Sequence, residues 1–555
     1  MFIRSRKRGD HLYLQIVENH RENGKVIQHT IANLGRLDAL KCSGSIDSLL
    51  RSGARFSERL AVIDAYEKGD ATAGIPRKIG PVLLLEKLWK ESGIQSTIRT
   101  FLAGRKFDFP VERVLFTAVL QRLFHPGSDR LGERWMQSYA IDGIKDIHLH
   151  HFYRAMGWLG EPLGEEHQIG ATPFIHRSVK DLIEEHLFAL RRDLFSGISL
   201  VFFDTTSLYF EGEGGEAVGQ YGHSKDHRPD LYQMVVGVVL DENGNPLCSE
   251  LWPGNVADVT SLIPIATRLK NKFGIEEICI VADRGMISEK TIGELEKMHW
   301  KYILGVRMRR VKEVYEQVLT DKGYFKTVYP ERENSADPAP LKVKDVLINE
   351  KRYVICHNEE EARKDRHDRE NIVKALCEQL SRGDKSLVGN KGYRRYLKGS
   401  GNHFEIDTDK VDNDALFDGK YVLQTNTDLS TSDVALQYKQ LWTVEDIFRT
   451  MKSILETRPI YHKCDDTIRG HVFCSFLALV IRKRLQDKIA GKKWKLEWNH
   501  IVADVDSVME IELCYSGKHF ILRTDTPGVA GKVFQAAGIA LPPVLREGKR
   551  MSTTR

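Results

Sequence analysis

The sequence predicts an α/β protein: a core of mixed sheet flanked by helices, interrupted by a β-rich insertion and preceded by a β-hairpin and a helical region. Three observations predict it. Short β-branched and aromatic runs alternate with helical periodicity between residues 198 and 306. Strand-like and Gly-rich segments break that rhythm between 310 and 417. The first forty residues alternate polar and apolar around an Asn23-Gly24 turn signal.

At 555 residues the chain exceeds what one core supports and divides on pattern into six stretches. These are a β-rich start (1–42), a helical region (43–196), two parts of the core (197–309 and 418–490) around the insertion (310–417), and a C-terminal region with a basic tail (491–555). Apolar residues at 41% and charged residues at 29% fit a globular protein and exclude a disordered or fibrous one. A net charge of +5 is mild; it permits nucleic acid as a partner without requiring it. The 8 cysteines form no CxxC pair, which argues against a zinc module or a disulfide framework and for a reducing compartment. The opening residues are too polar for a signal peptide, and the apolar run at 472–481 is about half the ~20 residues of a membrane span. A cytoplasmic protein without membrane association is expected.

Element by element, HLYLQIVENH and VIQHTIANLG flank the RENGK turn, giving the opening hairpin. Apolar residues every three or four positions predict helices within 43–196, for example at 81–92 and 111–124. Such a basic helical stretch suits DNA-end recognition, and a solvated helical bundle fits it as well. ISLVFFD (198–204) is then a strand ending in Asp204. Residues 233–240 and 246–252 are two more, joined as a hairpin by a DENGN turn. A helix over 259–273 precedes a fourth strand, EICIVA (277–282), that ends in Asp283. A helix over 288–298 and a strand over 302–306 complete the order β-β-β-α-β-α-β, that of a ribonuclease H-like core. There the first and fourth strands are neighbours, about 5 Å apart. The mixed-sign tract 359–370 predicts a solvent-facing helix, a short strand follows at 420–424, and a long helix runs from about 432 to 456.

Phosphoryl transfer on DNA needs an activated oxygen nucleophile and a stabilised leaving oxygen, which a pair of Mg²⁺ ions about 4 Å apart can supply. Mg²⁺ takes hard oxygen ligands and keeps several waters, so two or three converging carboxylates suffice. Asp204 and Asp283 are the strand-end pair; either alone reads better as a capping aspartate, and two on strands expected to be adjacent reverse that reading. On the long helix, Val444, Ile447, Phe448, Met451 and Leu455 make one apolar stripe. Tyr438, Leu441, Glu445, Arg449 and Lys452 make a second, about 100° away, so Glu445 borders the buried face. A plain Glu445–Arg449 surface pair is the alternative. Asp446 falls outside both stripes.

That helix, Tyr438-Lys-Gln-Leu-Trp-Thr-Val-Glu445-Asp-Ile-Phe-Arg-Thr-Met-Lys452, resembles the Y-(2)-R-(3)-E-(6)-K signature of bacterial insertion-sequence transposases of the DDE class. Tyr438, Glu445 and Lys452 fit; Leu441 stands where the signature has Arg, which removes one phosphate contact unless Arg449 or a neighbour replaces it. FFDTTSLYFEG, GHSKDHRPDL, LWPGNVAD, VADRGMIS and RPIYHKCDDTIRGHVF resemble blocks of the branch with a β-rich insertion before the catalytic Glu. The resemblance implies cut-and-paste transposition by strand cleavage and strand transfer at terminal inverted repeats. It implies that Asp204, Asp283 and Glu445 are catalytic and bind two divalent ions, Mg²⁺ or Mn²⁺. It also implies that Tyr438 and Lys452 hold DNA, and that a homodimer works on double-stranded transposon ends and target in a synaptic complex. No small-molecule substrate is expected, and a prokaryotic cytoplasmic protein would be nucleoid-associated when bound.

His223, Lys225 and Arg228 in GHSKDHRPD are candidate DNA contacts, or a solvated loop. Arg284 is a phosphate contact or a salt-bridge partner. Asp258 reads as a helix cap rather than a catalytic group, and His148, His150 and His151 as surface or core residues rather than metal ligands. Arg458-Pro459 and His471 either brace the Glu helix or line DNA, and the tail LREGKRMSTTR is expected to be disordered with nonspecific DNA affinity. Two other classes compete: a decayed or co-opted transposase that only binds DNA, and a different ribonuclease H-like nuclease.

Overall fold

The computed structural model describes the chain except residues 23–24, 55–70, 169–175, 193–198, 330–339, 382–392, 401–402, 516–517 and 549–555. The Asn23-Gly24 turn, the Gly-rich turns within 383–392 and most of the basic tail therefore lie outside the described residues. The chain forms two compact units, one of residues 1–80, 506–528 and 540–555, the other of residues 81–505 and 529–539.

In the first unit, β1 (Phe2–Arg8), β2 (His11–Glu22) and β3 (Lys25–Arg36) make a three-stranded antiparallel sheet in the order β1-β2-β3. The predicted hairpin is thus β2 and β3, and the basic run before it is a third strand. Its alternation is too charged to read as a strand from one sequence, and edge pairing with β2 supplies what propensity does not. A second sheet joins distant segments: β4 (Ala71–Ala73) and β5 (Arg77–Lys78) pair with β17 (Met509–Tyr515), which pairs with β18 (Lys518–Arg523) and it with β19 (Leu545–Glu547). The start of the tail, expected to be disordered, is therefore a strand.

The second unit is organised by a nine-stranded mixed sheet. Its strands are β6 (Leu200–Tyr209), β7 (Gln233–Asp241), β8 (Pro246–Pro253), β9 (Cys279–Ala282), β10 (Lys301–Gly305), β11 (Lys326–Val328), β12 (Leu341–Ile348), β13 (Lys351–His357) and β16 (Lys420–Thr425). The order is β11-β12-β13-β16-β10-β9-β6-β7-β8, with β9 parallel to both β6 and β10 and the other pairs antiparallel. The strands of the predicted insertion thus extend the core sheet through β16. Main-chain groups at the β16 edge take partners wherever the chain returns, which local pattern cannot specify. The remaining insertion strands, β14 (Leu397–Ser400) and β15 (His403–Ile406), form a separate ribbon. The charged helix runs on to Leu380 (Glu359–Leu380); residues 363–368 are exposed, whereas Arg369 pairs with Asp418 and Ile372, Val373, Leu376 and Leu380 pack in a small apolar cluster.

Alternation along β6 and β9 fixes two faces. Val201, Phe203, Ile280 and Ala282 pack with Leu262, Ile265 and Leu269 of the Leu262–Phe273 helix in one apolar cluster. Phe202, Asp204, Val281 and Asp283 therefore belong to the opposite face. The Glu helix packs on β6 and β7, with Val444 and Phe448 buried. It is not continuous: Thr431–Lys439 and Trp442–Arg449 are separate helices, and Thr450–Ile454 is a π-turn. Val111–Phe124 is buried along nearly its whole length and packs, with Leu149–Gly160, against the long helix Asp465–Ala490. Gly160 and Gly470 permit that approach, since a Cβ at either would strike main chain of the facing helix. Among the described residues no helix is long and apolar enough to cross a membrane.

Candidate active site

β6 and β9 place the two aspartates. Their register pairs Phe203 with Ala282, so Asp204 and Asp283 are the next residues on neighbouring parallel strands and share a face. Asp204 does not end its strand as expected. β6 continues to Tyr209 along β7, because TTSLY keeps the β-branched alternation, and only the pairing with β9 stops at Phe203.

Burial dominates the Asp204 carboxyl and pushes it up to about 7. Lys225 and the Thr205 N–H oppose that rise, while the Asp283 and Asp258 carboxylates add to it. The Lys225 ammonium lies 4.0 Å from Asp204 Oδ1 and 3.2 Å from Asp258 Oδ2. It also donates to the Thr205 carbonyl at 2.7 Å, and the Thr205 hydroxyl donates to Asp258 Oδ1 at 2.7 Å. On the other strand the Tyr438 hydroxyl donates to Asp283 Oδ1 at 3.0 Å. Burial, then the charge and hydrogen bond of Asp283, raises the Tyr438 phenol. Tyr438 reaches the aspartate across Gly305, where a Cβ would collide with its hydroxyl. Arg307 braces the turn after Asp283, donating to the carbonyls of Arg284 (3.1 Å) and Gly285 (2.9 Å).

Glu445 is on the Trp442–Arg449 helix that lies on β6, and its side chain is exposed beside buried Val444 and Phe448. Asp204 and Asp283 share a face and the Glu445 helix packs on β6 and β7, but the three carboxylates' oxygens do not converge to within 4.8 Å of one another. Among the described residues only Asp129, His462 and His471 do. An oxygen-only donor set, with Asp204 lifted by burial and by two neighbouring carboxylates, suits a hard divalent cation.

A family model described as Transposase DDE domain matches residues 195–481, more than half of the chain. The chain belongs to the DDE transposase family. A second model, described as IS1634 family transposase, N-terminal domain, matches residues 3–68, so the transposase is of the insertion-sequence kind. Among solved structures, a similar chain is that of the Mos1 transposase paired-end complex with left transposon end, at 12% identity and a TM-score of 0.14. The match covers 36% of the transposase and 60% of that chain, so the transposase spans about three fifths of the length of that chain. No curated protein matches.

The other sequence-derived candidates in the transposase separate into two groups. Lys452, 11% exposed, donates to Asp226 Oδ1 at 2.8 Å, and Arg458 pairs with the other oxygen at 2.9 Å. The π-turn takes less than about 100° per residue and so shifts the phase of the helix; Lys452 lies inward while Arg449 stays exposed and pairs with Asp446 at 3.7 Å. Arg449 thus pairs with Asp446, not with Glu445 as the alternative surface-pair reading had it. Leu441 is buried at the break between the two helices. Arg228 pairs with Asp230 at the surface, and His223 and Arg284 are exposed. Sequence reasoning gave Asp258 only a capping role and passed over Thr205, Asp226 and Gly305. The acidic residues in GNVAD and KDHRPD were the available signal, but their neighbours in space are far off in sequence.

His148 starts the Leu149–Gly160 helix, and its ring stacks with those of His150 and His151. His471 is buried with Asp129, His462 and Arg122, and its Nε2 meets the Thr457 carbonyl at 3.1 Å. This ties the segment after the Glu helix to the helical bundle. Burial, then the Arg122 charge, presses the imidazole down to about 4.

Proposed function

We propose that the protein catalyses cut-and-paste transposition, cleaving double-stranded DNA at terminal repeats and joining the freed end to a target, on a ribonuclease H-like core. Asp204, Asp283 and Glu445 are its catalytic carboxylates. The observation carrying this is the register of β6 and β9, which puts two aspartates side by side on the face where the Glu445 helix lies. These oxygens would hold two divalent ions, Mg²⁺ or Mn²⁺; a cation bound there stabilises charge on the attacking and leaving oxygens of the phosphodiester.

The chain's own residues prepare that site. Below about pH 7 the buried Asp204 carboxyl keeps its proton, and it gives it up when positive charge arrives. Tyr438 fixes the orientation of Asp283, as an outer hydrogen bond does for a ligating carboxylate. Lys225 offers a cation at the edge of the site, where a phosphate oxygen can take it in exchange for Asp258. Lys452 and Arg458, held by Asp226, together with Arg228, His223, Arg284 and Arg449, are the proposed DNA contacts around it, and the helical stretch 43–196 adds further contacts. A homodimer around paired ends, in the cytoplasm, completes the reading.

The test is metal-dependent nicking of duplex DNA carrying the sequences that flank the reading frame. Asp204→Ala, Asp283→Ala and Glu445→Ala should each abolish nicking while leaving duplex binding intact. Retained nicking in one variant removes that residue from the site. Binding by the unaltered chain with no nicking in Mg²⁺ or Mn²⁺ supports the second reading, a protein that binds DNA without cutting it; buried Leu441, in place of a signature arginine, favours that reading.

A further inference from the structure

The β1-β2-β3 sheet has two unlike faces. Its register sets Arg4 against Gln15, Arg6 against Tyr13 and Arg8 against His11, and continues to β3 with Asn33 beside Gln15, Gln28 beside Asn19 and Arg36 beside Tyr13. All of these residues project to one face. Arg4 confirms it by donating to Gln15 at 3.2 Å and Gln28 at 2.7 Å, bridging all three strands, while Val17 between them is fully buried. The helix Leu37–Cys42 packs on the β2–β3 part of the other face, where Leu40 lies against Gly35. Glu18 is also on that other face, paired in register with His29. The first face thus carries Arg4, Arg6, Arg8 and Arg36; Arg36 is paired with Asp38 of the following helix, which leaves Arg6 and Arg8 as the exposed cations of the edge strand on this face. Arg6, Arg8, Gln28 and Asn33 are exposed on it.

We propose that this face is a double-stranded DNA reader that lays the sheet into the major groove. The edge strand β1 presents arginines at every second residue, about 7 Å apart from the strand rise, as a rail for phosphates. The exposed amides of Gln28 and Asn33 are of the type that pairs bidentately with a base edge, and strands are an established way to enter a groove. Arg4 orders Gln15 and Gln28 before DNA arrives. The proposal deepens the transposase reading by naming the surface that recognises DNA, and it places recognition in this sheet in addition to the helical stretch 43–196.

The experiment uses the full-length chain and a fluorescent 30-bp random-sequence duplex, with affinity measured across a salt series. Arg6→Gln with Arg8→Gln should weaken binding and lower the slope of log affinity against log salt by about 2. Lys7→Gln, on the opposite face of the same strand and equally exposed, should leave the slope unchanged, although it also removes a positive charge. Asn33→Ala should keep the slope but flatten the sequence preference selected from a randomised duplex library. An unchanged slope in the double variant, an equal loss in Lys7→Gln, or equal competition by an A-form RNA duplex, whose major groove is too narrow to enter, overturns the proposal. Nicking by the same samples separates the two readings: face-dependent binding without nicking sinks only the enzyme, and nicking with face-independent binding sinks only the sheet.

Discussion

Two carboxylate clusters flank the core sheet and differ in how their charge is balanced. Near β8, the Arg268 guanidinium contacts Glu250 at 2.6 Å, Glu184 at 2.8 Å and Asp181 at 3.0 Å, and Lys180 meets Asp181 at 2.8 Å. Burial works against the Asp181 charge, yet Lys180 and Arg268 outweigh it and hold the carboxyl well below its usual range. At the β6–β9 edge, Asp204 and Asp258 share Lys225, Asp283 accepts a hydrogen bond from Tyr438, and Asp204 is lifted to about 7. The first cluster is closed on itself and belongs to the architecture. The second lacks positive charge at a place where a cation or a phosphate-bearing strand can approach. Perturbed carboxylates therefore need their compensation examined before a function is read from them.

The comparison breaks first at Arg268. Arg268→Met leaves Glu184 and Glu250 buried without their nearest cation and Asp181 with Lys180 alone, and should cost about 3–5 kcal/mol in urea denaturation at pH 7. A loss under about 1 kcal/mol would mean the two clusters do not differ as described. Next, Tyr438→Phe removes the hydrogen bond to Asp283 and should weaken Mn²⁺ affinity by about 10–100-fold, read by calorimetry, with the melting temperature nearly unchanged. Lys225→Met withdraws the one cation beside Asp204, so the acid limb of metal-dependent nicking should move up by about one pH unit; a downward move would reverse the assigned role.

A further prediction concerns Asp204 itself. Its folded carboxyl is raised above the unfolded value of about 3.9, so its contribution to stability is fully present below that value and is lost as pH rises through about 7. Asp204→Asn should therefore melt higher than the unaltered chain at pH 8, and the gap should close toward pH 4. Added Mg²⁺ should raise the melting temperature of the unaltered chain at pH 8 and not that of the variant. An aspartate chain that melts higher than the asparagine variant at pH 8 without metal would contradict the burial argument.

What the sequence determined by itself is the local part. The β6–β7–β8 run, the helix before β9 and the strand-to-turn passage at VADRG were legible because each is written in apolar period and turn residues a few positions apart. Asp204, Asp283 and Glu445 could be singled out for the same reason, each sitting beside a strong local pattern. Only tertiary structure decided the rest. The insertion strands joined the core sheet through β16, β4 and β5 found β17 over four hundred residues away, and the π-turn swung Lys452 toward Asp226. Main-chain hydrogen bonding and charge pairing depend on what lies near in space, and a chain of this length brings together residues whose separation in sequence carries no signal.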